Sequence, residues 1–174
     1  MTQNSKKIKI AFILPASGEH PIGGFKVVYE YANYLSARGH EIEIIHCAAV
    51  GHYPLSFKKA FRVWKTFFLK KIRNEWKPNT WFTINQQIKL SWVPFLRYHK
   101  LSNSDIYVVT AFDTAMGFYK LNRKKNTFYF IQSWEDWNSN YNENELIKTW
   151  KYPFTKIVIA KWLLNKATLL NENA

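Results

Sequence analysis

Cysteine, acidic residues and long apolar runs are scarce in this sequence, and each shortage excludes a class of protein. The single cysteine, Cys47, excludes an internal disulfide, and nothing pairs with it as a metal site would require. Acidic residues number 12 against 25 Lys and Arg, which gives a net charge of +13. Residues 10–14 are too short for a signal peptide, and no stretch approaches the roughly 20 apolar residues that span a bilayer. We expect a soluble, cytoplasmic protein.

Several motifs for cofactors and catalysis are also missing. The loop after the first apolar segment is not a GxGxxG fingerprint, because Gly18 lies too far back and residues 26–29 supply no third glycine. It also lacks the Lys-Ser/Thr of a P-loop, and the chain has no HExxH pattern, Cys/His cluster or arguable Ser-His-Asp set. No RRM or KH signature is present. We therefore expect no metal, no cofactor and no nucleic-acid partner.

The most informative stretch runs from Lys7 to Cys47 and has the pattern strand, glycine loop, helix, strand. Residues 8–14 are an apolar run that suits a parallel strand buried on both faces. A helical apolar stripe follows over residues 27–35, and Gly39 is expected to end the helix as its C′ residue. A second strand starts at Ile42.

Gly23 and Gly24 close the loop before this helix. A backbone without side chains at a helix N-terminus lets an anion such as a diphosphate approach free N–H groups, where the helix dipole also favours negative charge. Plain turn geometry explains such a pair of glycines equally well.

Strands and helices alternate along the remaining chain, which predicts a parallel sheet with right-handed crossovers. Further strands are expected at 105–110, 127–131 and 156–160, with helices at 57–76, 115–121, 145–152 and 161–170. Two short extended segments, 81–84 and 88–93, predict an additional hairpin near 80–93. The fold class is α/β: one Rossmann-like domain over residues 1–174, with helices on both faces of the sheet.

A basic amphipathic helix is predicted from Phe57 to Trp76, inside a segment (57–100) that has eleven Lys and Arg and one acidic residue. An aromatic side flanked by basic groups suits the surface of an anionic membrane. Alternatively, the aromatic stripe packs on the sheet and the lysines face water, or the helix binds a polyanion. The candidate membrane-surface residues are Lys58, Lys59, Arg62, Trp64, Lys65, Lys70, Lys71 and Arg73.

Polar side chains that follow the later strands are the candidate ligand groups, because ligands of open α/β sheets bind beyond the carboxyl ends of the strands. Indole faces cover the apolar side of a sugar, while amides and carboxylates bind its hydroxyls. Two alternatives need no ligand: Asp113 is a helix cap, and residues 132–137 are a polar loop followed by a helix cap. The lone histidines His20 and His46 are weaker candidates. The expected sugar or acceptor contacts are His20, Asp113, Gln132, Ser133, Trp134 and Glu135.

Residues 8–45, with Gly23-Gly24 and the Arg38–Glu41 turn, resemble the start of a family 4 glycosyltransferase of the GT-B fold, closest to its rhamnosyltransferase-like branch. The likeness continues weakly through residues 105–109, 129–132 and 157–162. The resemblance implies the N-terminal, acceptor-binding domain, with the donor domain and its paired glutamates absent and little or no transfer by this chain alone.

The same resemblance implies a nucleotide-sugar donor whose diphosphate meets Gly23 and Gly24, and a cell-surface glycan or lipid-linked acceptor at the inner face of the plasma membrane. Many members of the family carry a histidine at the position of Gln132, and here the glutamine can only hydrogen-bond. The alternative function is a non-catalytic basic module that binds polyanions or a membrane surface.

Overall fold

The protein is described by a computed structural model over residues 6–50, 56–96, 101, 103–121, 126–135 and 143–172. Asp136 and Trp137 of the predicted ligand loop lie outside the described residues. The elements in chain order are β1 (Lys9–Pro15), α1 (Gly23–Ala37), β2 (Glu41–Ala49), α2 (Phe57–Arg73), β3 (Lys89–Phe95), β4 (Ile106–Val109), α3 (Phe112–Lys120), β5 (Thr127–Ile131), α4 (Glu143–Trp150), β6 (Thr155–Val158) and α5 (Lys161–Glu172).

The six strands form one parallel sheet in the order β3-β2-β1-β4-β5-β6, which confirms the Rossmann-like α/β prediction. From β1 the chain first adds strands on one side and then, starting at β4, on the other. A switch point therefore lies between β1 and β4, where open α/β sheets bind their ligands.

Each face of the sheet carries its own apolar core. Alternate residues of β1, such as Phe12, pack with α1 on one face, while Ala11 and Ile13 pack on the other face with residues of α3, α4 and α5. Beyond α1 the first face is partly uncovered, and an open apolar groove of about 240 Å³ reaches Ile157 on the edge strand β6.

The start and end of α1 follow the sequence pattern. Ile22 is its N-cap with extended backbone, and Gly39 has φ of 89°, as predicted for a C′ residue. The N–H of His40 donates to the carbonyl of Leu35 at 3.2 Å, which closes a Schellman-type turn into β2. Cys47 is fully buried near the end of β2, as expected.

The predicted hairpin near 80–93 is wrong. Residues 89–95 form β3, which pairs in parallel with β2, and residues 81–84 form no strand. In place of strand pairing, two hydrogen bonds of the Asn33 side chain hold this segment. Asn33 donates to Thr83 O at 2.9 Å and accepts from Asn85 N at 2.8 Å. The 81–85 segment is thereby held against α1 instead of against β3.

Helix α2 ends at Arg73, three residues before the predicted end, because Asn74 adopts a left-handed conformation with φ of 57°. At its start the Ser56 side chain accepts from Lys59 N at 3.4 Å. Phe67 alone among its side chains is buried, stacked on Trp92 of β3, which in turn stacks on Trp76. No helix within the described ranges is long and apolar enough to cross a membrane.

Candidate functional site

A cleft of about 730 Å³ opens at the carboxyl ends of four strands, on both sides of the switch point. Pro15 ends β1, while Thr110, Gln132 and Ile159 follow β4, β5 and β6 closely. The predicted ligand residues Gly23, Gly24, Asp113, Gln132, Ser133 and Glu135 all line this cleft. The strand-end rule therefore brings together residues that are far apart in the sequence.

One wall of the cleft is the N-terminus of α1, here called the glycine lip and formed by Gly23 and Gly24. Its N–H groups donate to no other described residue, no side chain caps the helix, and no acidic residue lies in its first turn. These free donors and the helix dipole both favour an anion here. Among the described residues that line the cleft there is no Lys or Arg.

The packing requires a glycine at position 24 but not at position 23. A Cβ on Gly24 would stand 3.3 Å from Nε2 of Gln132, which itself donates to Gly24 O at 3.2 Å, so Gly24 permits a close approach between α1 and the end of β5. A Cβ on Gly23 would meet nothing within 4 Å. Gly39 is the one described glycine with positive φ, so turn geometry does not require a glycine at position 23.

The opposite wall is the N-terminus of α3 and carries two carboxyl groups. This helix begins at Phe112, three residues earlier than expected, and its N-cap is Ala111, so the prediction of Asp113 or Thr114 as N-cap is wrong. Ala111 has no polar side chain, and instead Glu135, in the loop after β5, accepts from Phe112 N at 3.1 Å. Thr114 accepts from Ala111 N at 2.9 Å.

Burial changes the ionisation of both carboxyl groups. Desolvation raises the pKa of Glu135 to about 8, opposed by the hydrogen bond from Phe112 N and assisted by the charge of Asp113. Desolvation also raises the pKa of Asp113 to about 6. At neutral pH Glu135 is therefore mostly protonated and Asp113 mostly ionised.

No protein-family model and no curated protein matches this chain.

Two predicted ligand residues lie away from the cleft lining. Trp134 packs on Trp150 with ring centroids 5.2 Å apart, and Lys166 of α5 lies 3.3 Å above its ring. His20 is exposed in the loop before the glycine lip and pairs with Glu19 at 3.2 Å. Neither side chain is part of the described lining of the cleft. Trp134 therefore presents no ring face here on which a sugar would stack.

The loop that joins β1 to the glycine lip is fixed by a buried histidine. Nδ1 of His46 donates to Ala16 O at 3.0 Å, so Nε2 accepts, and Tyr29 OH donates to it at 3.0 Å. Burial lowers the pKa of His46 to about 4, which keeps the ring neutral. His46 is thus a structural residue, and nothing in the sequence indicates Tyr29 as its partner.

The same loop is also tied to α2 and to the segment that follows α2. Gly18 N donates to Trp76 O at 2.8 Å, and Nε1 of Trp81 donates to Gly18 O at 2.8 Å. Lys70 of α2 donates to Ser17 Oγ at 3.0 Å and forms an ion pair with Glu19. Lys70 is therefore half-buried against the loop, whereas the other predicted membrane-surface residues of α2 are exposed.

Among the residues placed in the structure, no group of three His, Cys, Asp or Glu side chains is arranged to hold a metal ion.

Proposed function

We propose that this chain is the acceptor-side domain of a glycosyltransferase that moves a sugar from a nucleotide sugar to a glycan or lipid-linked acceptor. The observation that carries the proposal is the glycine lip: free N–H groups open on the cleft at the switch point, and Gly23 has no structural reason to lack a side chain. A leaving diphosphate is stabilised by such donors. Gln132 links this lip to the end of β5.

The proposal assigns each wall a task that suits its charge. The ionised carboxylate of Asp113 repels a diphosphate, so the phosphates belong at the glycine lip, and the uncharged hydroxyls belong near α3. A second α/β unit would supply the remaining donor contacts, which agrees with the lack of Lys and Arg in the lining. Transfer by the 174-residue chain alone is expected to be slight, and robust nucleotide-sugar turnover by it would contradict the half-site.

Gly23→Ala is expected to weaken binding of inorganic pyrophosphate at least fivefold without lowering the melting temperature. The added methyl group enters open space, so it disturbs no packing but occupies the approach to the free N–H groups. Amide NMR titration of the whole chain measures this, with the Gly23 and Gly24 signals expected to shift in the unaltered protein.

The basic residues of α2 are a competing pyrophosphate site, so the control neutralises three of the seven. Lys58→Gln, Lys59→Gln and Lys65→Gln together should leave the shifts at the glycine lip in place. If those shifts vanish in this variant, or never occur in the unaltered chain, the diphosphate role is wrong.

We further propose that α2 rests on an anionic bilayer surface, because most of its apolar stripe does not pack on the sheet. Trp64 touches the sheet edge-on at Phe95 of β3, with ring centroids 5.8 Å apart. Phe57 is 87% exposed, Ile72 81% and Phe61 65%, although all three lie on the side that an ordinary surface helix would bury. Phe68 and Trp64 extend the stripe and stack on each other with centroids 5.4 Å apart.

The charges of α2 fit this partner. The helix contains seven Lys and Arg and no acidic residue, and Lys58, Lys65 and Lys71 border the exposed stripe. Basic groups near an anionic surface contribute about 1 kcal/mol each, and apolar side chains insert between the headgroups. Exposed aromatics favour a bilayer over a purely ionic partner.

Phe57→Ser with Phe61→Ser is expected to reduce cosedimentation with vesicles containing phosphatidylglycerol at least tenfold. Each buried phenyl ring is worth about 1.5–3 kcal/mol, and about 1.4 kcal/mol is tenfold in affinity. Trp162→Ser with Leu164→Ser is the matched control, because these exposed apolar residues lie on α5. Equal sedimentation with neutral and anionic vesicles, or stronger binding to an oligonucleotide, would contradict the proposal.

A further inference from the structure

The two carboxyl groups of the α3 wall have unequal structural explanations. Glu135 accepts a hydrogen bond from Phe112 N and so caps α3 from outside, in place of Ala111. Asp113 lies in the first turn of the same helix, and its Oδ1 is buried with no hydrogen-bond partner among the described residues. The backbone N–H groups of Asp113 and Thr114 support the carboxyl group and oppose the rise in its pKa. The buried Oδ1 still has no donor among the described residues, and this costs free energy.

The surroundings of Asp113 contain no described cation that offsets this cost. Three ionisable groups interact with the charge of Asp113: Glu135 after β5, Cys47 on β2 and Tyr129 on β5. None of these three carries a positive charge. Burial raises the pKa of both Cys47 and Tyr129, so neither is a charged partner at neutral pH. A ligand that satisfies Oδ1 must therefore bring its own donor.

A sugar hydroxyl fits this position better than a cation does. The cleft is lined largely by apolar side chains, including Phe25, Phe112 and Ile159, which suit the C–H faces of a pyranose. Ser133 adds a second hydroxyl partner at the rim. Among the described residues no group of three side chains is arranged to hold a metal ion, and Glu135, the other carboxyl group of the cleft, is mostly protonated at neutral pH.

We propose that the carboxylate of Asp113, which lines the cleft and whose Oδ1 lacks a partner among the described residues, accepts a hydrogen bond from a hydroxyl of an uncharged sugar unit bound next to the glycine lip. This inference rests on the proposed function and names what the α3 wall selects: a neutral, hydroxyl-bearing ring adjoining a phosphate group. Asp113 is thus a specificity-determining residue. An aglycone or sugar with a carboxylate at this position is excluded by like charge.

The test follows the Asp113 carboxyl carbon by NMR in the whole chain, labelled at Asp and Glu side chains, with methyl glycosides of hexoses and 6-deoxyhexoses as probes. A hydroxyl that donates to the ionised form should lower the pKa of Asp113 by about half a unit or more. By linkage, sugar affinity should rise severalfold between about pH 5 and 7 in the unaltered protein. In Asp113→Asn this pH dependence should vanish.

Two comparisons keep the outcome decisive. Asp113→Asn keeps an oxygen that accepts from the backbone N–H groups of Asp113 and Thr114, so this variant should fold. Asp105 lies at the opposite edge of the sheet, where it accepts from Lys9 N, so Asp105→Asn should leave sugar binding unchanged. If no glycoside at millimolar concentration moves the Asp113 signal, the inference is overturned. Pyrophosphate shifts at Gly23 and Gly24 report the proposed function separately, so the two failures are distinguishable.

Discussion

Replacing Glu135 by glutamine is expected to stabilise the protein by about 3 kcal/mol more at pH 8 than at pH 5. The pKa of Glu135 is about 8 in the folded state because burial disfavours its charge, against an unperturbed value of 4.5. The folded protein therefore keeps a proton that the unfolded chain releases, so this stability is lost as the pH rises through 8. The glutamine side chain keeps an oxygen that accepts from Phe112 N but has no proton to lose.

Urea unfolding at a series of pH values measures this difference. The pKa of Asp113 is also raised, to about 6, but most of its effect is complete by pH 6.5. The pKa of His46 is lowered to about 4, so its contribution is present above pH 6.5 and is lost as the pH falls toward 4. Between pH 6.5 and 8 the unaltered protein should lose about 2 kcal/mol through Glu135. An equal loss in the glutamine variant would show that another group titrates.

A carboxyl group that lowers stability at neutral pH is informative about function. Natural chains keep such groups mainly where chemistry or binding requires them, and pKa values are perturbed most often in clefts. Glu135 caps α3, but a glutamine would cap it as well without the cost of ionisation. The protonated acid differs from the amide in that its O–H proton can be transferred to a ligand, whereas the amide N–H groups only donate hydrogen bonds.

The sheet was predictable because short stretches of neighbouring residues specify its strands and the helix between them. The apolar run of β1, the stripe of α1 and the left-handed Gly39 each follow from a few neighbouring residues. The strand that pairs with residues 88–93 could not be predicted from neighbouring residues in the sequence. Trp92 reaches Phe67 and Trp76, and Asn33 holds residues 83 and 85, so contacts distant in sequence choose a parallel strand over a hairpin.

The candidate site divides in the same way. Gly23, Asp113 and Gln132 meet because the carboxyl ends of parallel strands share one edge, which the sequence order already implies. The direction of a side chain within a loop is not implied, so Trp134 was expected in the cleft but packs on Trp150. The membrane hypothesis for α2 depended on exposure, and exposure is decided by tertiary packing that periodicity cannot show.

Gly18→Ala is expected to destabilise the protein by roughly 3 kcal/mol, whereas Gly23→Ala should change the free energy of unfolding by less than about 0.5 kcal/mol. A Cβ on Gly18 would stand 2.3 Å from Tyr29 OH and 3.1 Å from the His46 ring. The methyl group must displace the buried hydroxyl, which breaks the Tyr29–His46 hydrogen bond and overpacks the loop. The same substitution at Gly23 meets open space.

A double-mutant cycle with Tyr29→Phe identifies the clash as the cause. Tyr29→Phe alone leaves Nε2 of His46 buried without a donor and should cost about 1–3 kcal/mol. In Gly18→Ala with Tyr29→Phe the displaced hydroxyl is absent, so the pair should cost at least about 1 kcal/mol less than the sum of the single changes. Additive costs would place the strain elsewhere in the loop. Coupling would show that the Gly18 methyl group clashes with the Tyr29 hydroxyl, and hence that the His46–Tyr29 pair, which contacts Ala16 and Phe25 of the cleft lining, fixes the loop that leads to the glycine lip.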